Sequence, residues 1–63
     1  MEPLLSLDQA ASLLGLSRGQ LYELTRNRSR ARQAVPIPVI RLGKRKMFRG
    51  TALHEWVLQL EKN

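Results

Sequence analysis

Ten of the eleven lysines and arginines lie between positions 18 and 49: Arg18, Arg26, Arg28, Arg30, Arg32, Arg41, Lys44, Arg45, Lys46 and Arg49. A guanidinium presents a planar fork of donors that fits a phosphate or the acceptor edge of a guanine, and an ammonium is a compact charge for a phosphate oxygen. Glu23 is the only acid in this stretch, which therefore carries +9. The flanks hold Glu2, Asp8, Glu55 and Glu61 against Lys62, so they sum to −3 and the chain to +6. A uniform excess would serve solubility alone, whereas charge segregated in this way is the footprint of a polyanion-binding surface. Other chemistry has little material. There is no cysteine, His54 is the single histidine, and the carboxylates stand apart with no glycine-rich or metal-ligand spacing. The inventory implies no enzyme, no metal and no cofactor.

What must position these cations is one small domain over residues 1–63, close to the lower size at which a chain buries enough apolar surface to fold unaided. Without disulfides, its stability rests on Leu, Ile, Val, Phe and Trp packing. No run approaches the ~20 apolar residues of a membrane span, and the first residues lack the basic start of a signal peptide, so a cytoplasmic location is expected.

The pattern begins with a helix. Ser6 is a good N-cap, Gln9 can complete a capping box, and Leu7, Ala10, Ala11 and Leu14 form one apolar stripe, which predicts a helix over 7–14 after a short lead-in. Gly15 ends it, Leu16 is expected buried in the turn, and Ser17 caps a second helix from Arg18 to Thr25 or Arg26. Ala11 is small enough for close approach, Gly15 can take the left-handed turn, and Leu21 fills the angle between two steeply crossing helices: a helix-turn-helix. With Leu21 and Leu24 inward, Arg18, Gly19, Tyr22, Glu23 and Arg26 face outward. Gly19 costs helix stability and could admit a close backbone.

Residues 27–34 have no apolar period and read as a basic loop or frayed helix end, with Arg28, Arg30 and Arg32 as phosphate contacts. From Val35 the period becomes two. Pro36 and Pro38 hold the chain extended, and residues 39–42 and 46–49 read as strands of a hairpin around Gly43, Lys44 and Arg45. A three-residue loop puts Ile40, Leu42 and Phe48 on one face and Arg41, Met47 and Arg49 on the other; a two-residue loop, which also favours Gly43, gives a different register. Either way the tip is basic. Leu53, Trp56, Val57 and Leu60 then mark a third helix over 52–61, capped by Gly50 or Thr51 and anchored by a core Trp56. The expected class is α+β: a compact winged helix-turn-helix of three helices and a two-stranded hairpin wing, in the order helix-helix-strand-strand-helix.

This order of parts resembles the small winged-helix excisionases, whose helix-turn-helix is similar to that of mercury-resistance-type (MerR) and phage AlpA-like regulators. "AASLLGLSRGQLYEL" looks like the family's helix-turn-helix, "IRLGKRKMF" like its wing and "TALHEWV" like its closing helix. The resemblance implies a recombination directionality factor that binds repeated double-stranded DNA sites beside an attachment site, bends the DNA, and directs a tyrosine integrase to excise a phage or mobile element. Self-association on tandem sites would accompany it. The alternatives are a small transcriptional regulator of the MerR/AlpA type and an anti-repressor that meets an acidic protein. The chain ends soon after its third helix, without a coiled coil or effector domain, which favours the architectural role. On DNA, Ser17, Arg18, Gln20, Tyr22 and Arg26 are expected on or beside the major groove, with Arg18 placed for a guanine and Tyr22 and Ser17 for phosphates. Glu23 could accept from a cytosine amino group, but pairing with Arg26 or Asn27 on the helix surface is the expected role. Lys44, Arg45 and Lys46 are expected to reach the minor groove or backbone and to set affinity more than sequence choice.

Overall fold

The computed structural model describes residues 2–62. Its elements are β1 (Leu4–Leu5), α1 (Leu7–Leu14), α2 (Arg18–Thr25), α3 (Asn27–Arg32), β2 (Ile40–Leu42), β3 (Arg45–Arg49) and α4 (Gly50–Glu61). The arrangement is α+β and has the winged helix-turn-helix plan, with two short elements, β1 and α3, added to those expected.

Both helices of the helix-turn-helix begin with a complete capping box. Ser6 Oγ accepts from Gln9 N at 3.2 Å and Gln9 Oε1 accepts from Ser6 N at 2.9 Å. Ser17 and Gln20 repeat the exchange at 3.1 and 2.9 Å. Between the helices, Gly15 takes φ 73°, ψ 25°. There its N–H donates to Ser12 O and the Leu16 N–H to Ala11 O, a Schellman ending that only a left-handed residue allows without strain. Ala10, Ala11 and Leu21 are buried where α1 meets α2, so close approach of the small residues sets the crossing. Leu16 is half-buried against the core.

The chain after α2 is more ordered than its composition implies. Arg26 is extended at φ −68°, ψ 142°, breaking the helix for one residue, and α3 follows where a basic loop or a frayed helix end was expected. No apolar stripe holds α3; polar clasps do. Gln33 Nε2 donates to Leu24 O and Gln33 Oε1 accepts from Ile37 N, both at 3.0 Å. Arg30 Nε donates to Ile37 O at 3.1 Å. With both backbone groups of Ile37 engaged, its side chain sits fully buried in the core with Leu21, Phe48 and Leu53. Each such side chain contributes roughly 1.5–3 kcal/mol.

The sheet is antiparallel in the order β1-β3-β2. Leu4 and Leu5, expected to be only a lead-in, pair with Arg49 and Phe48. The hairpin uses a two-residue loop: Ile40 faces Met47, Arg41 faces Lys46 and Leu42 faces Arg45. Gly43 has φ 59° and, among the described residues, no non-glycine residue has positive φ, a pattern that matches a type II′ turn, whose twist suits a tight hairpin. The three-residue register is thereby corrected. Alternation now places Phe48 on the face of Lys46 and Arg41, while Leu42 stands 52% exposed on the other.

Helix α4 starts two residues earlier than expected, and neither Gly50 nor Thr51 is its N-cap; Arg49 holds that position without a side-chain cap. Glu2 replaces the cap. Its carboxylate accepts from Thr51 N at 3.3 Å, from Thr51 Oγ1 and from Arg49 Nε at 3.2 Å. The bonds to Thr51 foremost, and then Arg49, hold the Glu2 carboxyl below the usual carboxylate range against an opposing desolvation. Trp56 packs half-buried against the core and donates Nε1–H to Val35 O at 2.7 Å, tying α4 to the segment before the hairpin. Leu60, on the same stripe, is 43% exposed.

Candidate nucleic-acid interface

Helix α2 presents the side chains that the sequence assigns to its outer face. Arg18, Gly19, Tyr22, Glu23 and Arg26 are all exposed, while Leu21 and Thr25 are buried behind them. A Cβ on Gly19 would meet nothing within 4 Å, so packing inside the domain gives no reason for glycine there. Arg18 Nε lies 3.4 Å from Asp8 Oδ1, with both side chains about 70% exposed. Arg26 Nη1 lies 3.3 Å from Glu23 Oε2, one helical turn away. Glu23 thus pairs with the residue that ends its helix. Exposed pairs of this kind contribute about 0–1 kcal/mol, so a phosphate or base edge can displace either carboxylate at little cost.

The hairpin tip stands beside the start of α2. A cleft of about 600 Å³ separates them, lined among others by Ser6, Asp8, Arg18, Tyr22, Lys44 and Arg45. The fold therefore brings the recognition-helix residues Arg18 and Tyr22 and the wing residues Lys44, Arg45 and Lys46 around one concavity. Ser17 and Gln20 sit at the exposed N-terminus of α2, where Ser17 Oγ and Gln20 Oε1 accept within the capping box, which leaves the Ser17 hydroxyl proton and the Gln20 amide to donate outward. Arg28 and Arg32 project from α3 exposed, with no side-chain partner among the described residues.

Other basic side chains brace the domain instead. Arg30 is half-buried on Ile37 O. Arg41 Nη2 donates to Asn27 Oδ1 at 3.0 Å, joining β2 to α3. Lys46 Nζ donates to Thr25 Oγ1 at 2.8 Å and lies 4.1 Å from the centroid of the Tyr22 ring. Thr25 is fully buried, and its hydroxyl donates to Tyr22 O at 2.7 Å, so both its hydrogen-bonding roles are filled. Burial, then the neighbouring Arg41 and Arg26 charges, hold the Lys46 ammonium below the usual lysine range. Thr25, Gln33 and Ile37 were not marked by the sequence. Only the odd placement of a polar residue on the Leu21 side of α2 could have signalled Thr25.

A helix presented by a glycine turn, a basic hairpin beside it and a concavity between them define a winged helix-turn-helix domain of the DNA-binding type. Residues 4–60 match the model of the helix-turn-helix domain family, and the chain belongs to that family. This membership suggests double-stranded DNA as the partner. Neither characterised proteins nor solved structures give a match. Among the described residues, no helix is long and apolar enough to cross a membrane.

Proposed function

We propose that this domain is a sequence-specific DNA-binding excisionase, which binds beside the attachment sites of a phage or mobile element, bends the DNA and directs a tyrosine integrase toward excision. The observation that supports this reading is the shared cleft: Arg18 and Tyr22 on α2 and Lys44 and Arg45 at the hairpin tip line one concavity. A helix in the major groove with a cationic wing on the adjacent backbone neutralises phosphates at two separated points. That asymmetric neutralisation is suited to a bent duplex, whose deformation must be offset by added contacts. Arg18 reads a base edge, Tyr22 and Ser17 contact phosphates, and Arg28 and Arg32 extend the contact along the backbone. Catalysis belongs to the integrase, and the domain itself contributes no reacting group.

A footprint this small gives modest specificity alone, so several copies on tandem sites are part of the proposal. The test is an excision assay on attachment-site DNA with the integrase of the same element, run beside a reporter of promoter output. Excision that depends on this chain, with complexes on circularly permuted duplexes migrating slowest when the site lies at the centre, supports the excisionase. Promoter output that responds while excision does not would make it a regulator of the MerR/AlpA kind.

A further inference from the structure

Lys46 differs from the other two cations of the hairpin. Lys44 and Arg45 are exposed, whereas Lys46 is half-buried, donates to Thr25 Oγ1 and lies over the Tyr22 ring. Its place in the register explains this. Lys46 and Phe48 share the face of β3 turned to the domain interior, Phe48 enters the core, and the lysine stem spans the gap from β3 to the end of α2. The contact therefore joins the two arms of the interface. It also touches the one outward residue of α2, Tyr22, that combines an aromatic face with a hydroxyl.

We propose that Lys46 is a positioning residue: it fixes the hairpin against α2 and holds the Tyr22 ring in the cleft, and it neutralises no DNA phosphate. The proposal rests on the cleft being a DNA interface. Its chemical basis is that the ammonium already has a hydroxyl acceptor and a ring face, so that moving to a phosphate would leave buried Thr25 without its donor. Helix-to-wing spacing then becomes a specificity determinant, because a base contact from Arg18 and a backbone contact from Lys44 are made together only at one separation. Arg41 on Asn27 braces the same junction from the neighbouring strand.

The test compares wild type, Lys46→Met and Lys44→Ala by anisotropy over a salt series, on the tightest duplex selected from a randomised library and on a scrambled duplex. Lys44→Ala should weaken both duplexes alike and reduce the salt slope by about 0.9, the loss of one phosphate. Lys46→Met should leave the slope unchanged while affinity for the selected duplex falls about tenfold and the preference over the scrambled duplex narrows. A slope reduced by about 0.9 in Lys46→Met makes Lys46 a phosphate contact and overturns the proposal.

A measurement on the wild-type chain guards against a variant that fails to fold. The Lys46 ε-methylene protons should show an upfield ring-current shift by NMR that vanishes in Tyr22→Leu and persists when the selected duplex is added. Loss of that shift on duplex binding refutes the Lys46 role alone. Failure of the wild-type chain to bind any duplex refutes the interface reading, and the Lys46 role falls with it.

Discussion

Replacing Gln33 by Met should destabilise the domain far more than its position in a basic, polar segment implies. The side chain gives one hydrogen bond to Leu24 O and takes one from Ile37 N, both 3.0 Å long and part-buried. Methionine matches the length of the side chain and makes neither bond. Orphaning a part-buried carbonyl and a part-buried N–H costs about 1–3 kcal/mol when water replaces them incompletely. A chain of 63 residues has a total stability of roughly 3–9 kcal/mol at ordinary values per residue, so the loss is a large share of the whole. At about 4–8 °C per kcal/mol for a domain of this size, the melting temperature should fall by roughly 4–24 °C. Thermal denaturation followed by circular dichroism measures it, with Arg28→Ala as the control. Arg28 lies in the same segment, is exposed and has no side-chain partner among the described residues, so its loss should stay within about 0.5 kcal/mol. Equal melting of the two variants would show that residues 27–37 are not docked by Gln33, and would refute the account of how Ile37 is held in the core.

Other expectations follow from the same geometry. Among the described residues, Arg28, Arg32, Lys44 and Arg45 have no side-chain partner, and Arg18 and Arg26 are held only by exposed carboxylates. Four to six phosphate contacts give a slope of log affinity against log salt of about −3.6 to −5.4, a loss of roughly 150- to 1,800-fold between ~50 and ~200 mM; a slope shallower than about −2 would contradict this face. Gly15→Ala, at φ 73°, should cost about 1–2 kcal/mol in denaturant titration. Gly19→Ala, helical with open space around its Cβ, should gain up to ~1 kcal/mol yet weaken DNA binding; stability and affinity that rise together would exclude close approach of DNA there. Glu2 titrates below its usual range when folded, so its contribution is present at neutral pH and is lost as pH falls through the folded value. Between about pH 6 and about pH 3 the wild type should therefore lose more melting temperature than Glu2→Gln, and parallel curves would remove the Glu2 clasp from the account.

The parts legible in the sequence are those in which local chemistry and long-range packing agree. Ser6 and Ser17 as caps, Gly15 as the left-handed ending and Leu21 in the helix crossing each follow from residue type and spacing, and the structure uses each of them so. The outward face of α2 follows from the inward Leu21 and needs no other information. Less legible are features made by residues distant in the chain. Leu4 and Leu5 become a strand only because Arg49 and Phe48 offer an edge, and Glu2 caps a helix 49 residues away. Residues 27–32 are helical although they carry no apolar period, since Gln33, Arg30 and Arg41 hold them through backbone and side-chain oxygens. The hairpin register turned on one residue of loop length, which Gly43 alone did not decide. In the site, Lys46 looks in sequence like its neighbours, and only the alternation of β3 turns it inward.

The pairing of Leu4 and Leu5 with β3 also bears on how the protein behaves when damaged. Those two residues occupy the side of β3 that β2 does not cover, beside Phe48 and Arg49. Proteolytic trimming of the first five residues would uncover unpaired N–H and C=O groups next to the fully buried Phe48 and would also remove the acceptor that serves the start of α4. An open strand beside an apolar side chain is a template for pairing with another chain. The short N-terminal strand thus acts as an edge guard, and a trimmed chain would be lost to aggregation before its recognition helix lost its shape.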